Sequence, residues 1–136
     1  MLKEPLAAAL RIPEQLTIRA EHRVLVLGDG RLGNLSAQVI AGLGCEVIVI
    51  GKHLKKLQRL DQLGIETCLR VAAQPDRSAD IVVDCTGSSS GFADALKWVK
   101  PLGTVVLKTT VAGDSSVFLA PIVIDEVTVQ IGRAHV

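Results

Sequence analysis

Residues 24–33 read Val24-Leu25-Val26-Leu27-Gly28-Asp29-Gly30-Arg31-Leu32-Gly33. Four consecutive aliphatic residues suit a strand covered on both faces, since a strand with one wet face would alternate. The chain then passes through Gly-x-Gly-x-x-Gly into a helical pattern. Strand, glycine loop and helix in that order form the setting in which such a loop cradles the pyrophosphate of a dinucleotide. Gly28 permits the tight turn out of the strand, Gly30 has no side chain to obstruct a phosphate, and Gly33 lets the helix lie close to the strand. Asp29, Arg31 and Leu32 lie alongside, and the free N–H groups of the helix start face the anion. A bare turn would not need glycine at all three positions. The loop is not a mononucleotide P-loop, because Gly-Lys-[Ser/Thr] is missing and Leu32 stands inside the spacing.

The same pattern repeats on either side. Val47–Ile50, Ile81–Val83 and Val105–Leu107 are further short aliphatic runs, and 65–69 and 127–131 are weaker ones. Between them the spacing predicts helices over 32–43 (Leu32, Leu35, Val39 and Leu43 on one stripe), 54–63 (Leu54, Leu57, Leu60) and 92–99. Residues 72–78 are too short and polar for a helix. Such alternation predicts an α/β fold: a doubly wound parallel sheet of Rossmann type with about six strands. A helix over 3–12, bracketed by Pro5 and Pro13, is expected to sit apart from the sheet. Residues 1–20 then form a helix and linker, and 21–136 the dinucleotide-binding domain.

Composition narrows the function classes. The chain has 136 residues, enough for one domain with a core, and 49% of them are apolar. Fifteen basic and fourteen acidic residues nearly cancel, and Phe92, Trp98 and Phe118 are the whole aromatic set. Neither a basic face nor a stacking platform for nucleic acid results. No apolar run reaches the roughly 18 residues of a membrane span. Cys45, Cys68 and Cys85 lie apart in apolar surroundings without zinc spacing, which suggests buried thiols in a reducing, cytoplasmic setting.

The second strand ends Ile50-Gly51-Lys52-His53. An NAD site usually carries Asp or Glu there, about 20 residues beyond the loop, to hold the ribose 2′-hydroxyl. Gly51 leaves room instead, Lys52 offers a charged donor and His53 a second one. NADP(H) is therefore expected over NAD(H), unless Lys52 and His53 merely solvate a turn. Asp61 is too far along the next helix to substitute. Thr86, Gly87 and Ser88 follow the fourth strand, where they reach the nicotinamide half, begin a serine-capped helix, or both. Lys108 and Thr109 end the fifth strand; Lys108 either faces cofactor or substrate or snorkels from the sheet edge. No catalytic residue is assigned within the chain, which lacks tyrosine, and His22 and His135 read as surface residues.

These residues resemble the cofactor-binding domain of the medium-chain, zinc-type alcohol and polyol dehydrogenases. Glu4-Pro5-Leu6, the 24–33 loop with Ala37-Gln38 in its helix, and Leu63-Gly64 carry the likeness. So do Asp80-Ile81-Val82-Val83-Asp84-Cys85-Thr86-Gly87-Ser88, Lys100-Pro101-Leu102-Gly103-Thr104-Val105-Val106, and the run from Val127 to Gly132. The resemblance implies a longer enzyme that transfers hydride between NAD(P)(H) and an alcohol or carbonyl. A catalytic domain, built from sequence on both sides, would hold zinc, and this segment would be inactive alone. It places Glu4 at that zinc, as ligand or near neighbour, and pairs strand 127–131 with its copy in a homodimer. Gly51 and the ending Leu107-Lys108-Thr109-Thr110 depart from the family pattern. The alternative is a freestanding dinucleotide-sensing module, which would have no need of Glu4-Pro5-Leu6.

Overall fold

The computed structural model describes residues 3–109 and 118–131; the side chains of Lys3 and Glu4 are outside that description, as are Thr110, Gly132 and His135. Six parallel strands make one sheet: β1 (Arg23–Leu27), β2 (Glu46–Gly51), β3 (Glu66–Leu69), β4 (Ala79–Asp84), β5 (Val99–Leu107) and β6 (Thr128–Ile131). Their order is β3-β2-β1-β4-β5-β6, so the winding direction reverses between β1 and β4. Outside the carboxyl ends of those two strands an open α/β sheet forms its ligand crevice.

The aliphatic runs are buried on both faces because helices cover both. Val24, Val26, Val49 and Val83 face α3 (Arg31–Ala41) and α4 (Leu54–Gln62), while Leu25, Leu27, Ile50 and Val82 face α5 (Gly91–Trp98). Side chains alternate across a strand, so an unbroken apolar run supplies both layers at once. Among the described residues, no helix is long and apolar enough to cross a membrane.

Several local expectations are corrected. The N-terminal helix does not sit apart: α1 (Lys3–Leu10) packs on α3, with Ala8 and Ala9 buried, and Ile12 of the short α2 (Ile12–Gln15) is in the core. Small alanine side chains let α1 approach closely. Pro13 does not end helical structure but sits in the first turn of α2, where its missing N–H costs nothing. In α3 the buried face is Gly33, Ser36, Ala37 and Ile40, rotated from the Leu32–Leu43 stripe, and Leu43 is 39% exposed. Leu57 and Leu60 of α4 are buried as expected, but Leu54, on the first turn, is 56% exposed. A 3₁₀ turn (Arg70–Ala72) and a short helix α6 (Ala120–Ile124) have no counterpart in the expectations. Cys85 alone of the cysteines is buried; Cys45 and Cys68 are half-buried.

Candidate cofactor site

A cleft of about 440 Å³ opens at the carboxyl ends of β1, β2 and β4, bounded by the glycine loop, residues 51–53 and the start of α5. Gly28 holds φ +112°, and a Cβ there would lie 2.8 Å from the Cys85 carbonyl oxygen. Glycine alone fits both constraints. A Cβ on Gly33 would overlap the Gly28 carbonyl oxygen, so this glycine sets how closely α3 approaches β1. Gly30 differs from both: a Cβ there meets nothing within 4 Å. It is the N-cap of α3 and has no side-chain cap, which leaves the first N–H groups of the helix to an outside acceptor. The open space at Gly30 and those unused donors fit a pyrophosphate.

Gly28, Asp29, Gly30, Gly51, Lys52 and His53 line the cleft together, and Thr86 and Ser88 line its far side. Asp84 orders that far side. Its Oδ1 accepts the Thr86 N–H at 3.0 Å and the Thr86 hydroxyl at 2.7 Å, and Thr86 Oγ1 in turn accepts the Ser88 N–H at 3.1 Å. Gly91, which opens α5, is glycine because Asp84 and Thr86 crowd the place of its Cβ. Ser90 is the N-cap of α5 but makes no side-chain cap bond; its N–H and hydroxyl turn to Ser88 instead. Neither Asp84 nor Gly91 was singled out from sequence, although an acid ending an aliphatic strand two residues before threonine was a usable signal.

Other expected residues stand behind or beside the cleft. Leu32 packs against the core, and the Cα of Gly33 faces the Gly28 carbonyl and Cys85. Arg31 faces a neighbouring hollow with Lys56 and Arg59. Gly87 donates its N–H to Thr109 Oγ1 at 3.0 Å, a brace between the β4 loop and the end of β5. Lys108 neither lines the cleft nor snorkels outward. It is 7% exposed and reaches Gln15 Oε1 at 3.4 Å, because α2 covers the end of β5. Burial pushes its ammonium below the usual lysine range, and the Arg11 charge adds to this; Cys85 opposes it. Burial pushes the Cys85 thiol up to about 12, with the Asp84 charge adding to it, so this cysteine is inert at neutral pH.

The end of β2 differs from the expectation of an open phosphate pocket. Gly51 does not leave a void for a 2′-phosphate: a Cβ built on it would lie 2.6 Å from Asp29 Cβ and 2.7 Å from Asp29 Oδ2. The Asp29 side chain fills the space. Oδ2 accepts the Lys52 N–H at 2.9 Å and the His53 N–H at 2.6 Å, and His53 Nδ1 lies 3.1 Å from Oδ1. Burial pushes the carboxyl up, but the His53 ring, its backbone N–H and charge, and the Lys52 N–H outweigh it, so the group stays below the usual carboxylate value. A depressed acid contributes its stabilisation fully above the unfolded value of 3.8, and that contribution disappears as pH falls through the lower folded value. Melting temperatures of the parent and Asp29→Asn should therefore differ at pH 6 and draw together as the pH is lowered past 3.8; a constant gap would show that the ionised form is not what matters.

Among the described residues, no three His, Cys, Asp or Glu side chains gather as a metal site. Glu4 lies on α1 by its backbone, with its side chain outside the described residues. β6 ends the described sheet, paired on one side with β5, and Ile131 is 62% exposed.

Comparison with known proteins agrees with this geometry. Residues 32–133 match the zinc-binding dehydrogenase family. An uncharacterised zinc-type alcohol dehydrogenase-like protein of Escherichia coli K12 is 28% identical over 95% of the chain, which spans 40% of that relative's length. In structure, a protein assigned as a zinc-binding dehydrogenase from Sinorhizobium meliloti 1021, solved bound to NADP, superposes with a TM-score of 0.86. It is 23% identical, over 96% of this chain and 42% of the neighbour. A protein described as a short chain alcohol dehydrogenase from E. coli CFT073, complexed with NADH, superposes at 0.87 and is 19% identical, over 98% and 43%. These two show the fold alone. The family match covers most of the sequence and the glycine-loop helix with it, so the chain belongs to the zinc-binding dehydrogenase family and corresponds to its Rossmann-type, cofactor-binding part.

Proposed function

We propose that this segment carries the cofactor of an NAD(P)(H)-dependent alcohol or polyol dehydrogenase and is inactive alone. The observation that supports this best is Gly30, open to the cleft at an uncapped helix start. In the longer enzyme the segment would hold the nicotinamide nucleotide against an alcohol or carbonyl. Zinc would be held by a catalytic domain from the rest of that chain, with Glu4 nearby. When bound, the metal would polarise the substrate oxygen. Residues 1–20 would be the junction with that domain; Leu6 and Leu10, exposed on α1, supply apolar surface for it. The outer edge of β6 would pair with a second copy, which would protect an otherwise open strand. Three free cysteines agree with the cytoplasm as the compartment.

For the cofactor, Gly51 and Lys52 favour NADP(H) over NAD(H) by residue type. Asp29 beside them favours NAD(H). Titration of the chain with NADH and NADPH, followed by nicotinamide fluorescence, tests the shared claim: at least one should bind saturably, with no turnover of added alcohols. Failure of both to bind would sink the reading.

A further inference from the structure

We propose that Asp29 is the ligand of the adenosine ribose and the residue that sets cofactor preference, its carboxylate reaching the end of β2 through the gap left by Gly51. This rests on the dinucleotide reading above. The acid expected at residue 51 is not missing; it comes from the glycine loop.

Gly51 and Asp29 are coupled by space. With its Cβ 2.6 Å from a Cβ on Gly51, Asp29 can stand where it does only if residue 51 has no side chain. A glycine that merely made room for phosphate would border open space, as Gly30 does. The carboxylate also occupies the backbone donors that a 2′-phosphate would need, because the Lys52 and His53 N–H groups both end on Oδ2. An incoming phosphate would have to displace a fixed anion or sit beside it, with like charges a few ångströms apart. A 2′-hydroxyl meets no such conflict. A carboxylate offers about four acceptor sites, and its protein partners are two N–H groups and one ring nitrogen. One site therefore remains for the hydroxyl donor. Asp29 is 7% exposed and lines the cleft, so the hydroxyl would meet the carboxylate at the cleft wall. The opposing cations are weaker arguments: Lys52 and Lys56 are exposed, where water and salt screen them. Preference for NAD(H) follows, against what Gly51 and Lys52 suggest when read as residue types.

The test uses the whole chain and four variants, with dissociation constants for NADH and NADPH and an unliganded thermal melt for each. The parent should bind NADH about tenfold tighter than NADPH or better. Asp29→Ser should weaken NADH about 10- to 100-fold, as expected for a lost charged hydrogen bond, while NADPH binding holds or tightens. Asp29→Asn keeps the volume, removes the charge, and should shift the preference the same way. Gly51→Asp alone should melt well below the parent, because two side chains compete for one space. Asp29→Gly combined with Gly51→Asp should recover the melting temperature and the NADH preference. The proposal is overturned if the parent prefers NADPH, if Asp29→Ser and Asp29→Asn weaken both cofactors equally, or if the double variant melts no higher than Gly51→Asp. Absence of binding of either cofactor to a folded parent would remove the dinucleotide reading itself, and the proposal with it.

Discussion

Replacing Gly30 by valine is expected to abolish dinucleotide binding while leaving the domain folded. The backbone at Gly30 has φ −72° and ψ −171°, a conformation that any residue adopts. No protein atom lies within 4 Å of the Cβ it lacks, so the fold does not require glycine there. Removing a glycine trims the entropy of the unfolded chain by about 0.4–1 kcal/mol, which offsets a cost of similar size for valine, a poorer N-cap than glycine. The melting temperature should therefore stay within a few degrees of the parent. Binding is a different matter. The valine side chain would stand over the first turn of α3, between the free N–H groups and any phosphate that approaches them. Affinity for NADH and NADPH together should fall by about two orders of magnitude or more, the scale of two lost charge-assisted hydrogen bonds. Parallel titration and thermal melts check this; a valine variant that binds as the parent does would show that the pyrophosphate passes elsewhere.

The sheet was legible because burial on both faces leaves its mark on consecutive residues. Val24, Leu25, Val26 and Leu27 are all buried, although alternate members belong to different cores. Three glycines at fixed offsets after such a run then located the crevice. What the residue types could not convey was which side chains meet. Asp29 and Gly51 become neighbours because β1 and β2 pair in parallel with Leu27 opposite Ile50, which carries both chain ends into the same corner. Gly51 alone reads as space, and only beside Asp29 does it read as space already filled. The face of α3 was misplaced for a related reason. Apolar periodicity favours the largest side chains, whereas a helix held close to a sheet by Gly33 buries its smallest ones, Ser36 and Ala37. Lys108 reads as a cleft residue from its place at a strand end, but α2 and Gln15 cover it, a contact made far along the chain.

Gly33→Ala should have the opposite signature to the Gly30 variant, with stability failing first. Alanine is the better helix former by about 1 kcal/mol, so propensity alone would make the change favourable. Sterics decide against it. The new methyl would overlap the carbonyl of Gly28, a backbone group rather than the flexible end of a side chain. Moving that carbonyl away disturbs Gly28, whose N–H donates to the Ile50 carbonyl at 2.9 Å and whose Cα already approaches the chain at Cys85. The alternative is for α3 to lift from β1, which opens the packing of Ala37 and Ile40 over Val24 and Val26. Either route costs about 2–4 kcal/mol net, at the upper end of overpacking in a core. In a domain of this size that corresponds to a fall of roughly 10 °C in melting temperature. Cofactor affinity should drop as well, because Gly28 and Gly30 move with the loop, but the loss should accompany the thermal shift instead of occurring without it. A Gly33→Ala protein that melts with the parent would show that close contact between α3 and β1 is not what requires glycine at that position, and the requirement would then lie with the ligand.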